Sequence, residues 1–231
     1  MREIIFDTET TGLSPAGGDR LVEIGCVEMI NRVETGRTYH AYFNPQRPMP
    51  SEAEAIHGLG DKFLSDKPEF PATVEALLEF IGDSPLIAHN ATFDFGFLNH
   101  ELKQCSRDPI CLSRMICTLV LARSRHPGAK HSLDALCTRF GVDRSHRVKH
   151  GALLDAQLLA QVYVELTGGR QIGLTLVGDQ ADLGQDPQAA APERLFRPAR
   201  PHSASATERD AHRRFVSGLV SPLWERFLAP I

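Results

Sequence analysis

The chain has 231 residues, 42% of them hydrophobic, which is enough for one good core and an appendage but short of two full domains. Its formal net charge is −4, and residues 171–231 hold seven Lys or Arg against seven Asp or Glu, so the whole excess lies in residues 1–170 and argues against tight non-specific nucleic-acid binding by long-range charge. The five cysteines form no Cys-x-x-Cys pair and read as reduced thiols, most of them in helical apolar runs; no signal peptide or long apolar span is evident, and a cytoplasmic protein is expected.

Apolar runs over 4–7, 21–30 and 38–43, separated by Gly- and Asp-bearing turns, predict an opening three-stranded antiparallel meander. The first run carries Asp7 and Glu9. Residues two apart on a strand point to the same side, so these carboxylates share one face. Residues 71–81 read as an amphipathic helix. A short strand over 86–88 then leads into a helix over 92–104, which puts Asp94 at a strand-to-helix junction. Further helices are predicted over 112–124, 132–140 and 152–166. In the last, Asp155 lies on the stripe of Leu158, Leu159, Val162 and Leu166 and faces the core, whereas His150 belongs to the loop feeding the helix. Strands followed by helices, with carboxylates at strand ends, describe an α/β domain with a central mixed sheet flanked by helices.

Beyond Gly168-Gly169 the composition changes. Residues 178–205 are rich in Ala, Pro, Gln and Asp, as in a flexible C-terminal tail, and a coil of that length spans about 30 Å. Over 207–228, Phe215, Leu219, Leu223, Trp224 and Phe227 recur three to five residues apart, which predicts a short amphipathic helix unable to form a core alone. It either packs back on its own domain or docks on a partner.

A carboxylate among leucines is costly unless compensated, and four converging carboxylates would repel one another and raise their pKa values. A divalent cation removes both objections. Oxygen ligands favour Mg²⁺ or Mn²⁺ over zinc, and Mg²⁺ shares its shell with substrate phosphates, so the implied substrate is a phosphate ester. Each position also has a bland explanation. Asp7 and Glu9 would be solvated surface charge, Asp94 a helix N-terminal carboxylate, Asp155 the partner of a buried Arg or Lys, and His150 a surface histidine. His146 and His150 are four apart, but no glutamate intervenes, which weighs against a zinc hydrolase.

The set and its surrounding strings point further. The chain reads Phe6-Asp7-Thr8-Glu9-Thr10-Thr11-Gly12-Leu13, then His89-Asn90-Ala91-Thr92-Phe93-Asp94-Phe95-Gly96-Phe97-Leu98, then His150-Gly151-Ala152-Leu153-Leu154-Asp155-Ala156-Gln157. In these motifs, their order and their separation it resembles the histidine-bearing branch of the DEDD 3′ to 5′ exonucleases, and among them the proofreading epsilon subunits of bacterial DNA polymerase III. Ile56-His57-Gly58-Leu59, Asp66-Lys67-Pro68-Glu69-Phe70 and Ser132-Leu133-Asp134-Ala135-Leu136-Cys137 look like that family too. The likeness is close over 1–170 and loose beyond.

The resemblance implies a ribonuclease-H-like exonuclease fold and two divalent cations, Mg²⁺ or Mn²⁺. Asp7, Glu9 and Asp155 would hold one ion, Asp7 would bridge to the second, Asp94 would act mainly through water, and His150 would be the general base. Thr10, Thr11 and Gly12 would meet the terminal nucleotide, His57 lies in a loop that the family sets against the terminal base, and Phe93 would stack beside it. Residues 1–170 then form the exonuclease domain, and 177–206 the linker. Residues 171–176 resemble a sliding-clamp-binding peptide through Gln171, Leu174 and Leu176. Residues 207–231 would bind the polymerase catalytic (alpha) subunit through Phe215, Leu219, Trp224 and Phe227, with room for a further small core subunit. The other readings are a stand-alone exonuclease acting on RNA or repair intermediates and a non-catalytic adaptor between polymerase and clamp.

Overall fold

The computed structural model describes residues 1–145, 147, 149–169 and 203–220. The chain divides into two compact units, Met1–Leu174 and Thr175–Ile231. The first is built on a five-stranded sheet of order β3-β2-β1-β4-β5. Strands β1 (Arg2–Thr10), β2 (Leu21–Ile30) and β3 (Val33–Tyr42) form the predicted antiparallel meander. Strands β4 (Leu86–Ala88) and β5 (Met115–Cys117) add parallel to β1, which makes the sheet mixed.

The alternation of β1 decides what each face of the sheet covers. Ile4 and Phe6 point into a core with α3 (Val74–Ile81) and α4 (Ala91–Gln104), where Leu77, Ile81, Phe95 and Leu102 are buried and Phe6 meets Phe95 edge-on at 5.7 Å. Ile5 points the other way, with Val27, Met29 and Ile87, onto α7 (Ala152–Leu166). Helices α5 (Thr118–Arg125) and α6 (Leu133–Phe140) pack on the outer side of α7 through Ala122, Leu136 and Cys137. Burying each such Ile, Leu or Phe is worth about 1.5–3 kcal/mol, so the sheet faces carry the stability.

Two features of the sheet prepare the site. The pairing of β1 with β4 stops at Ile5 and Ile87, while β1 pairs with β2 as far as Thr10, so the far half of β1 has an open edge. Gly25 of β2 lies directly across from Asp7, and a Cβ built there would overlap the backbone of Ala152 and Leu153. Only glycine lets the first turn of α7 lie this close to the sheet.

Several elements differ from expectation. The 112–124 helix is instead β5 followed by α5, because a short continuous apolar run fits a buried strand as well as a helix, and Met115, Ile116 and Cys117 find partners in Leu86, Ile87 and Ala88. Helix α3 starts at Val74, not at 71: a 3₁₀ turn over Phe70–Ala72 comes first, and Thr73, at φ −120° and ψ −3°, departs from helical geometry between the two. Two short helices, α1 (Ser51–His57) and α2 (Asp61–Leu64), were not predicted, and His57 is the last residue of α1 rather than part of a loop. Of the cysteines, only Cys137 is helical; Cys26 and Cys117 lie in strands, where apolar neighbours are equally at home, and Cys105 and Cys111 lie in connections.

In the second unit, α8 (Ala206–Ser217) begins at a capping box between Ser205 and Glu208. It ends at Gly218, short of the expected 228, because glycine is a poor helix former and the Gly218 N–H closes back on Phe215. Phe215 and Leu219 are 64% and 39% exposed. Gln171, Leu174 and Leu176, most of the linker, Trp224, Phe227 and His146 lie outside the described residues.

Candidate active site

The open half of β1 carries Asp7 and Glu9 on the α7 side and Thr8 on the α4 side. From the α7 side, Asp155 reaches in from the first turn of α7, 3% exposed. From the other side, α4 follows β4 through Asn90, whose φ of 62° makes the sharp turn into the helix. Asp94 in its first turn, also 3% exposed, accepts a hydrogen bond from the Thr8 hydroxyl at 2.7 Å. Because β4 stops short, carboxylates from both faces meet around the edge of one strand.

The charges register on one another. The Asp7 carboxyl is raised well above its ordinary range by burial, then by the charges of Asp94, Glu9, Asp155 and Glu23. Glu9 is pushed up to about 8 by burial, then by Glu23, Asp155 and Asp94, with Arg147 opposing. Burial lifts Asp94 to about 7 against the hydrogen bond from Thr8. Ligand atoms of Glu9, Asp155 and His150 lie within 4.8 Å of one another; Asp7 and Asp94 stand outside that set but within reach of its field. His150 lies on the loop before α7, its side chain 48% exposed and its Nδ1 3.2 Å from Asp155 Oδ2.

Three neighbours were not foreseen. Glu23 sits across from Glu9 in the β1–β2 register, 3% exposed, with His40 Nε2 at 2.7 Å. It adds a fifth carboxylate, and the period-2 pattern of β2 could have revealed that it shares a face with Glu9. Asp134 of α6 and Arg147 are the other two. Arg147 grips both oxygens of Asp155, Nε to Oδ1 at 2.6 Å and Nη2 to Oδ2 at 2.7 Å, and also reaches Asp134 at 2.7 Å. The bland explanation of Asp155, a buried arginine partner, is therefore present. It does not dispose of the site, because one guanidinium shared with Asp134 leaves Asp7, Glu9 and Asp94 without a hydrogen-bonded Arg or Lys among the described residues. Hard oxygen donors with unbalanced negative charge fit divalent cations of the Mg²⁺ class.

Beside Glu9 opens a cleft of about 360 Å³ lined by Thr10, Thr11, Gly12, His57 and Phe93, which brings together all the residues expected to touch substrate. Exposed Leu13 and Ile56 stand at its walls. The Thr10 hydroxyl donates to the Gly12 carbonyl at 2.6 Å, and a Cβ on Gly12 would meet Asp19, so this turn is held tight. His57 Nδ1 accepts from the Leu59 N–H at 3.0 Å, so its Nε2 carries the proton. That Nε2 is buried with no partner in hydrogen-bond geometry, and burial lowers the pKa of the ring, with the backbone of Thr10 opposing. An orphaned donor beside a nucleotide-sized cleft is a place for a ligand acceptor.

The family model described as Exonuclease (RNase_T) matches residues 4–163. DNA polymerase III subunit epsilon of Rickettsia felis is 59% identical over 180 residues, which cover 77% of this chain and 79% of the relative. The subunit of the same name from Salmonella typhimurium is 46% identical over 177 residues, covering 73% and 72%. Among solved structures, exonuclease X in complex with 5′-overhanging duplex DNA is 28% identical with a TM-score of 0.55, covering 71% of this chain and 90% of that one.

Proposed function

The chain belongs to the exonuclease family, in its group of DNA polymerase III epsilon subunits, and from that premise we propose that it removes mismatched 3′-terminal nucleotides from DNA as 5′-monophosphates during replication. The observation that carries the reading is the meeting of Asp7, Glu9, Asp94 and Asp155 at the open edge of β1 beside the cleft with the unpaired His57 donor.

Asp7, Glu9, Asp155 and Asp94 would hold two divalent cations, Mg²⁺ or Mn²⁺, which when bound supply Lewis acidity and stabilise negative charge on the phosphate. The chain's own groups do the rest. His150, exposed and next to Asp155, takes the proton of the attacking water at Nε2, since Nδ1 faces the carboxylate. Thr10, Thr11 and Gly12 line the terminal nucleotide, His57 Nε2 donates to it, and Phe93 flanks the base. Selectivity comes from unpairing: a mismatched end frays into the cleft at lower cost than a matched one.

The rest of the chain supplies attachment. Phe215 and Leu219, exposed on and just after α8, join Trp224 and Phe227 as the contact for the polymerase catalytic subunit, while Gln171, Leu174 and Leu176 engage the sliding clamp. Among the described residues no helix is long and apolar enough to cross a membrane.

The test is to incubate the chain and its Asp7→Ala variant with Mg²⁺ and DNA carrying matched or mismatched 3′ ends, and with RNA. Mismatched DNA should be shortened fastest, and Asp7→Ala should lose on the order of a thousandfold in turnover. Equal rates on matched and mismatched ends, or preference for RNA, would contradict proofreading.

A further inference from the structure

Among the described residues Arg147 is the one arginine or lysine bonded to Asp7, Glu9, Asp94 or Asp155, and the mechanism above does not use it. Its Nη2 lies 2.7 Å from Asp155 Oδ2 and 2.7 Å from His150 Nδ1, which puts a positive charge among the donor atoms of Glu9, Asp155 and His150. The side chain is 9% exposed and Asp155 4%, so the pair is shielded from water. A divalent ion taking the same Asp155 oxygen would stand beside the guanidinium in a poorly screened setting, where like charges repel strongly. Arg147 has somewhere else to go. Its Nη1 is already bonded to Asp134, whose side chain is 45% exposed.

We propose that Arg147 is the resident counter-cation of the metal-free site, and that it yields Asp155 to a divalent ion and falls back on Asp134 when the ion binds. The proposal rests on the metal-site reading and adds two consequences to it. Without the ion, the guanidinium keeps a buried carboxylate from standing alone, which would otherwise be strongly destabilising. On exchange, the same movement removes the Nη2 donor from His150 Nδ1, so that Nδ1 can carry the ring proton toward Asp155 and Nε2 is left as the acceptor. Arg147 is thus a positioning residue that changes partner, not a fixed prop.

Thermal unfolding of the full chain and of Arg147→Met, in chelator and with excess MnCl₂, together with Mn²⁺ titration by electron paramagnetic resonance, separates these roles. In chelator Arg147→Met should melt below the parent chain. Added Mn²⁺ should close most of that gap, and the variant should bind Mn²⁺ about threefold or more tightly than the parent, as the competing charge is gone. A gap that stays the same with Mn²⁺, with unchanged or weaker Mn²⁺ affinity, would overturn the exchange and make Arg147 a permanent support. If Arg147→Met is unfolded in chelator, folding on addition of Mn²⁺ supports the proposal and failure to fold overturns it. Arg147→Lys, which keeps the charge, should bind Mn²⁺ like the parent. Should the parent itself bind no Mn²⁺, the metal-site reading falls; Mn²⁺ binding by the parent without the expected difference sinks only the exchange.

Discussion

Buried carboxylates sit at both ends of the β1–β2 ladder, and the molecule treats them in opposite ways. Toward the start of β1, the Glu28 side chain is 3% exposed and receives Arg2 Nε at 2.7 Å, Thr35 Oγ1 at 2.8 Å and Arg37 Nη1 at 3.0 Å. Those bonds, from Arg2 first, hold its carboxyl below the usual range. At the far end Glu9 is pushed up to about 8 and Asp94 to about 7, and Arg147 is the only arginine or lysine bonded to a site carboxylate among the described residues. The same sheet can neutralise a buried acid completely. Leaving a surplus of negative charge at one end destabilises the metal-free protein, which is what a site prepared for cations requires.

The comparison can be broken in several ways. After the roughly thousandfold loss expected of Asp7→Ala, the next largest effect concerns the base: His150→Ala should lose about a hundredfold in turnover on a single-stranded 3′ end while still binding Mn²⁺. Turnover near that of the parent would mean that another group takes the proton. Gly25→Ala comes next, because its methyl must push the first turn of α7 off the sheet and carry Asp155 away from Asp7. Overpacking of this kind costs about 1–3 kcal/mol, and exonuclease rate and Mn²⁺ affinity should fall together. A stable, fully active Gly25→Ala would show that α7 can give way without moving the site.

A smaller effect contrasts the two ends directly by exchanging carboxylate for amide. Glu28→Gln should lower the melting temperature, by about 2–4 °C for each kcal/mol lost, whereas Asp7→Asn should raise it in chelator by relieving repulsion. Shifts of the same sign in both variants would end the contrast. The smallest effect is on pH. Glu28, with its pKa lowered from 4.5, stabilises the fold above that value, and this is lost as pH falls. Glu9, raised from 4.5 to about 8, works the other way, and the metal-free chain loses stability as pH rises through that interval. Melting curves in chelator should therefore peak on the acid side of neutrality, and Glu9→Gln should flatten the alkaline limb.

Much of the fold is legible in sequence because its signals are local. The meander, the 86–88 strand, and the helices holding Asp94 and Asp155 follow from periodicity, and the motif strings led to all four acids and His150. What escaped depends on tertiary partners. Residues 115–117 read as helix because nothing local says that Leu86, Ile87 and Ala88 await them. His57 reads as loop because α1 is too short to show a stripe. Arg147 carries no local sign of its part in the site; only the fold brings it against Asp155 and Asp134. Glu23 looks like an ordinary polar position until the register sets it across from Glu9.

The most direct measurement is anomalous diffraction from crystals of the chain soaked in Mn²⁺. Anomalous density among the carboxylates of Asp7, Glu9 and Asp155, with the Asp94 side within reach, is the expected result. Ordered carboxylates with no density between them, or Mn²⁺ bound only elsewhere on the molecule, would contradict the claim that these side chains gather to hold divalent cations.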